Sequence, residues 1–332
     1  MKFATYRNGQ PDGLLMVVSR DLTRCVDATH IAPNLLHALH NWDAVAAALQ
    51  QVSAALNAGS IAGVETFETA RCMAPLPRTF QWCDGSAFLN HGRLMERAFN
   101  TDPIPDFESI PVMYQGASDD FLGPCDPVPM PDETLGIDFE GEFGVVTETI
   151  PMGATPEAAE GAIRLVVQLN DWSLRGLGGR EKRCGFGFLQ AKPSTSFAPV
   201  AVTPDELGDG WRNGRVQLNL EVTWNGNHFG DPHGGEMHFS FGELLAHAAR
   251  TRKLGAGTII GTGTVSNAGG ERGSACIAER RVIEILAQGS AITAYMRFGD
   301  QVRMCARAPT GEAPFGAIDQ RVVQAHAAEP PR

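Results

Sequence analysis

The chain has 332 residues, 43% of them apolar and 20% charged, ordinary values for a globular protein able to bury a sizeable core. Its formal net charge of -11 argues against a nucleic-acid partner, which needs a basic face, and no run of ~18 apolar residues is available to span a membrane. Seven scattered cysteines with no C-x-x-C pair predict reduced, mostly buried thiols and neither a disulfide framework nor a zinc site.

Residues 1–7 and 14–18 are strand-like runs joined through Asn8-Gly9, Pro11 and Gly13, which predicts a hairpin. The first run lacks the basic-then-apolar layout of a signal peptide, so the cytoplasm is the expected location. Val45, Leu49, Val52 and Leu56 recur at helical spacing, predicting a helix capped at Asn41 or Asp43 and stopped at Gly59. Met73-Ala74-Pro75-Leu76-Pro77 excludes regular structure and reads as a linker after a small, β-rich N-terminal module of residues 1–75.

Residues 76–310 form a larger unit in which short β runs alternate with glycine-rich turns. Strands are predicted over 141–146, 163–169, 216–224, 258–265, 281–286 and 291–298 from β-branched and aromatic content. Asn225-Gly226-Asn227 and Gly299-Asp300 mark tight turns. The clearest helix here is 238–254, with Arg250, Arg252 and Lys253 near its end and Gly255 as its stop. From Ala308 onward the chain is polar, and residues 311–332 are expected to be an irregular tail. The fold class predicted is mixed, β-rich α/β.

The acidic residues carry the functional signal. In Asp138-Phe139-Glu140-Gly141-Glu142-Phe143, strand alternation puts Asp138, Glu140 and Glu142 on one face and the two phenylalanines on the other. Three aligned carboxylates repel one another unless something positive compensates, and a hard cation with oxygen ligands does so. A solvated edge strand is the bland alternative. Asp171 ends an apolar run at 163–169, where an acid at the mouth of a buried strand suits chemistry but also suits a turn. Arg175 has the fork geometry to hold a substrate carboxylate, or else pairs with an acid such as Glu181. Asp84 and His91 stand seven apart among small and apolar residues, and the histidine is a candidate general base or a satisfied structural residue.

Together these segments resemble the fumarylacetoacetate hydrolase family over residues 84–298. The matching features are Asp84 with His91, Glu140-Gly141-Glu142, and the Asn-Asp-Trp-Ser-x-Arg turn of Asn170 to Arg175. They continue with Ala191-Lys192-Pro193-Ser194, then Gly261-Thr262-Gly263-Thr264-Val265-Ser266 followed by Glu279. The resemblance implies a β-roll catalytic core behind the small N-terminal domain, and a homodimer. It implies Asp84, Glu140, Glu142 and Asp171 as ligands of Mg²⁺, Ca²⁺ or Mn²⁺, with no organic cofactor. It implies His91 as the base that activates water, Glu279 as its orienting acid, and Lys192 as an electrophilic catalytic group. Arg175, Thr264 and Tyr114 become expected contacts for a small oxo-acid substrate.

The implied reaction is hydrolysis of a C–C bond in a 1,3-dioxo acid such as an acylpyruvate. Decarboxylation, isomerisation or hydration of a 2-oxo acid at the same site is the alternative, and a non-enzymatic cation-binding module is a third. Ser86 stands where fumarylacetoacetate-cleaving members carry a tyrosine, and the segment 176–187 departs from their glutamine-bearing one, so a different acyl group is expected.

Overall fold

The computed structural model describes residues 1–99 and 102–325. The N-terminal hairpin forms as expected, Lys2–Tyr6 pairing antiparallel with Leu14–Val18. It does not end there, because Lys2 and Phe3 also pair with Val202 and Ala201. The hairpin thereby extends an eleven-stranded sheet. From one edge the main path runs Val64–Thr66, Arg24–Asp27, Leu14–Val18, Lys2–Tyr6, Ala201–Val202, Ile163–Asn170, Gly141–Thr147, Ile259–Gly261, Trp82–Gly85 and Met113–Gln115. Every neighbour along it is antiparallel except Ile259–Gly261 beside Trp82–Gly85.

A five-stranded sheet of Asn227–Gly230, Asn219–Trp224, Gln301–Arg307, Ile318–Gln324 and Val128–Met130 packs against the first. Gln168 joins the two from the buried interface. Its amide donates to the Met304 carbonyl at 3.0 Å and accepts from the Ala306 N–H at 2.7 Å. Alternation along Ile163–Asn170 sends Leu165, Val167 and Leu169 into one apolar core and Val166 into the other. The helix Trp42–Ala58 covers the N-terminal strands with Leu49, Val52 and Leu56, and Gly59 ends it in the left-handed region at φ 71°.

Several expected strands differ. Residues 281–286 lie in the helix Ile277–Gln288. Asp138 decides this, since its carboxylate accepts the N–H groups of Ile277 at 2.7 Å and Ala278 at 2.9 Å and caps the helix from a distant strand. Residues 291–298 carry only an isolated bridge from Met296 to Ile137. The tail contains the strand Ile318–Gln324, held antiparallel to Gln301–Arg307 and parallel to Val128–Met130, and residues 326–332 of that prediction lie outside the described residues. The helix predicted over 238–254 is shorter, Phe241–Ala248, because a capping box between Ser240 and Glu243 starts it late. The glycine-rich segment 176–187 is mostly helix, Arg175–Cys184, closed by Gly185 at φ 74°. Among the described residues no helix is long and apolar enough to cross a membrane.

Candidate active site

Strand ends bring three carboxylates to one point. Asp84 comes from Trp82–Gly85, Glu142 from Gly141–Thr147, and Asp171 immediately follows Ile163–Asn170. One oxygen of each lies within 4.8 Å of the others. The strand Ile259–Gly261 separates Asp84 from Glu142, and it does so at Gly261, which pairs with Asp84 on one side and Gly144 on the other. A Cβ at Gly261 would stand 2.5 Å from the Asp84 Oδ1, so only glycine leaves the two acids in view of each other.

Their hydrogen bonding is uneven. Asp84 Oδ1 accepts the Gly263 N–H at 2.9 Å. Asp171 accepts from Thr195 Oγ1 at 3.2 Å, from Lys192 Nζ at 2.5 Å and from the Tyr114 hydroxyl. Glu142 is fully buried and neither of its oxygens accepts from an N–H or hydroxyl donor; its side-chain partner is Asp84, an acid like itself. A buried carboxylate without a donor is costly, and its neighbours here are further acids. Burial, then Asp84 and Asp171, push the Glu142 carboxyl well above the ordinary range, and burial with Asp171 lifts Asp84 to about 8. Burial also raises Asp171, against the pull of Lys192. An all-oxygen set with two orphaned lone-pair groups fits a hard divalent cation, which supplies the missing positive partner.

Glu140, expected as a fourth ligand, is not among the three whose oxygens lie within 4.8 Å of one another. Its Oε1 accepts from Arg175 at 2.6 Å and its Oε2 from Lys192, and its nearest donor cluster is with His91 and Cys276. Burial works against ionisation of Glu140, yet Arg175 and Lys192 outweigh it and hold the group below the carboxylate range. Asp138 leaves the shared face altogether. It sits in Ile137–Asp138, a separate short strand paired with Ser173–Leu174, and binds Arg175 Nε at 2.8 Å. Arg175 is thus committed to Asp138 and Glu140, and not to Glu181. The Glu181 carboxylate instead accepts three backbone N–H groups, from Leu189, Gln190 and Ala191, and so fixes the approach to Lys192.

His91 is on the helix Leu89–Phe99 and its Nδ1 lies 2.8 Å from Glu279 Oε2, the base-and-orienter pairing expected of them. Glu279 is buried in the first turn of Ile277–Gln288, whose N-terminus Asp138 holds, so the acid stripe and the histidine are mechanically linked. His91 retains 18% side-chain exposure, and Glu279 engages only its Nδ1. Tyr114 gives its hydroxyl to Asp171, and its ring packs edge-on against Phe188 at 5.0 Å. Thr264 is buried in the turn after Ile259–Gly261.

That turn depends on Gly263. Its φ is 76° and a Cβ would stand 2.3 Å from the Gly85 carbonyl oxygen, a backbone atom that cannot swing aside. Gly263→Ala is expected to cost about 2–5 kcal/mol in urea unfolding, from left-handed strain plus overpacking. It also shifts the N–H that holds Asp84.

Residues 81–323 match the model for the fumarylacetoacetate (FAA) hydrolase C-terminal domain, and residues 1–78 match fumarylacetoacetase N-terminal domain 2. The chain belongs to the fumarylacetoacetate hydrolase family. Two curated relatives are a 2,4-didehydro-3-deoxy-L-rhamnonate hydrolase of Sphingomonas sp. (strain SKA58), 28% identical over 50% of this chain and 56% of the relative, and the mitochondrial oxaloacetate tautomerase fahd2 of Xenopus laevis, 26% identical over 50% of each. This chain thus spans about half the length of the curated relatives it matches. The fold is that of a fumarylacetoacetate hydrolase from Exiguobacterium antarcticum, with TM-score 0.67, 18% identity, and coverage of 98% and 100% of the two chains. It is equally that of a maleylpyruvate hydrolase from Sphingobium sp. SYK-6 in complex with manganese(II) ion and pyruvate, with TM-score 0.64, 16% identity and the same coverage.

Sequence reasoning missed the work of Asp138 and Glu181. The sequence places Asp138 on the carboxylate face and offers Glu181 as a partner for Arg175, and only long-range contacts assign them to a helix N-terminus and to the Lys192 segment.

Proposed function

We propose that this family member hydrolyses a C–C bond in a 1,3-dioxo acid of the acylpyruvate class. Asp84, Glu142 and Asp171 would hold a divalent cation, with Glu140 as a fourth carboxylate one ion pair away through Lys192. The bound cation supplies Lewis acidity toward the substrate's adjacent oxygens. The observation that carries the reading is the His91–Glu279 pair at 2.8 Å, opening beside the buried carboxylates.

Glu279 holds the Nδ1 side of the ring, leaving Nε2 to take a proton from water. The water oxygen bonds to the acyl carbonyl carbon. The C–C bond to the neighbouring methylene then breaks, its electron pair passing into the enolate of the departing 2-oxo acid. His91 returns its proton to that carbon, so one water is consumed and two carboxylic acids leave. Lys192, buried between Glu140 and Asp171, is the positive group beside the developing negative oxygen.

Assaying a panel of acylpyruvates and 2-oxo acids with added Mg²⁺ or Mn²⁺ tests the reading. Release of pyruvate from acylpyruvates supports it. Proton exchange or enol–keto conversion of a 2-oxo acid without cleavage favours the second reading, tautomerisation, which uses the same proton-carrying pair and is the activity named for the Xenopus relative.

The cation reading predicts a pH dependence. A carboxyl whose folded pKa lies above its unfolded value stabilises the fold at low pH and loses that contribution as pH rises through the folded value. For Asp84 the loss runs from about pH 4 to about 8. Cation-free protein should therefore lose stability across this window. Melting scans with EDTA or with Mn²⁺ should show a cation-induced rise in Tm that is larger at pH 8.5 than at pH 5.5.

A further inference from the structure

Asp138 belongs neither to the three converging carboxylates nor to the His91–Glu279 pair, yet its fully buried side chain reaches both halves of the site. Its Oδ1 accepts the Ile277 N–H at 2.7 Å. Its Oδ2 accepts the Ala278 N–H at 2.9 Å and the Arg175 Nε–H at 2.8 Å. Ile277 and Ala278 open the helix Ile277–Gln288, and the next residue of that first turn is Glu279. Arg175 carries the other connection, since its Nη2 meets Glu140 at 2.6 Å.

The helix has little else to hold its start. Its own cap is Cys276, whose sulfur is a weak acceptor and takes only the Glu279 N–H, at 3.3 Å. Ile277 and Ala278 are both buried, so their N–H groups depend on a protein acceptor, and Asp138 supplies it from 139 positions away in the chain. Arg175 provides the positive partner that a buried carboxylate needs. Glu279 then meets His91 Nδ1 at 2.8 Å. A shift of the helix start by about 1 Å would carry Glu279 beyond hydrogen-bond reach, and a misplacement of that size costs roughly a hundredfold in rate.

We propose that Asp138 is a positioning residue for the catalytic base. By holding the first two N–H groups of Ile277–Gln288, its carboxylate sets Glu279 against His91. The inference rests on the reading of His91 as the base, and it assigns that base's geometry to an acid that touches neither member of the pair.

A double-mutant cycle tests this on the full chain with Mg²⁺. Asp138→Asn keeps the side-chain shape but presents an NH₂ group where N–H donors and Arg175 need an acceptor. It is expected to lower kcat roughly a hundredfold. In a His91→Ala background the same substitution should cost less than about threefold, because the base it positions is gone. A second readout is the low-field proton signal of the His91 Nδ1–H, identified by its absence from His91→Ala. That signal should be present in the cation-free wild type and lost in Asp138→Asn while thermal unfolding stays cooperative. If Asp138→Asn does not fold, the smaller Asp138→Ser is read in the same way. Equal losses in the two backgrounds, an unchanged His91 signal, or failure of both variants to fold makes Asp138 purely structural and overturns the proposal. The proton signal needs no substrate, so its loss in Asp138→Asn alongside a wild type that cleaves no acylpyruvate contradicts the hydrolase reading and not this one.

Discussion

Glu142→Gln is expected to abolish cation binding and lower turnover about a thousandfold, while making the cation-free protein more stable. The two effects share one cause. Glu142 is buried with no donor on either oxygen, between acids that repel it, which is favourable only when a cation is present. Loss of Lewis acidity is worth several kcal/mol in the transition state, hence the factor of ~10³. In the apo state the neutral amide brings two N–H donors toward Asp84 and Asp171 and cannot ionise, a gain of about 1–3 kcal/mol wherever Glu142 would otherwise be charged. Because Glu142 has a raised pKa, the wild type can relieve the repulsion by binding a proton at low pH, so the stability gain should widen as pH rises. Chemical unfolding in EDTA across pH 5–9 reads it. A destabilised apo variant would mean that Glu142 is satisfied by contacts of the protein alone.

His91→Ala should lower kcat by roughly 10²–10⁴ with cation affinity nearly intact. The ring touches none of Asp84, Glu142 or Asp171 through a hydrogen bond; its partner is Glu279. Glu279 is 1% exposed and loses that partner, so the variant should also lose about 1–3 kcal/mol of stability. Added imidazole, entering the space left by the side chain, should restore part of the rate with an optimum set by its own pKa. Absence of any rate effect would return His91 to a structural role.

Much of the site is legible in the sequence because its chemistry is concentrated in short segments. The alternation around Phe139 and Phe143 correctly sends both rings into the apolar core and leaves Glu142 on the other face. The alternation fails at Asp138 and Glu140, since the strand is not continuous there. Ile137–Asp138 pairs with Ser173–Leu174, whereas Gly141–Thr147 pairs with Ile163–Asn170. A break in pairing between two strands leaves no local mark in the sequence. Arg175 reads as a substrate ligand for the same reason, as its two acidic partners are 35 or more positions away in sequence.

The helix Ile277–Gln288 is the instructive miss. Val282, Ile283, Ile285 and Leu286 give a local β preference, and a distant carboxylate with a cysteine cap overrides it. The strand Ile318–Gln324 is missed because its polar exposed face hides the alternation that buries Ile318, Gln320 and Val322. The Gly261 and Gly263 turn, by contrast, is visible as a motif, and the structure gives its reason, room for Asp84 on one side and a left-handed turn on the other.

The central claim is that the buried carboxylates exist to hold a cation. Crystals grown with Mn²⁺ and measured at the manganese absorption edge test it most directly. The account predicts one anomalous peak about 2.0–2.6 Å from oxygens of Asp84, Glu142 and Asp171, removed by Glu142→Gln. No peak at that position in metal-rich crystals, with Glu142 instead paired to a protein or water donor, would contradict it.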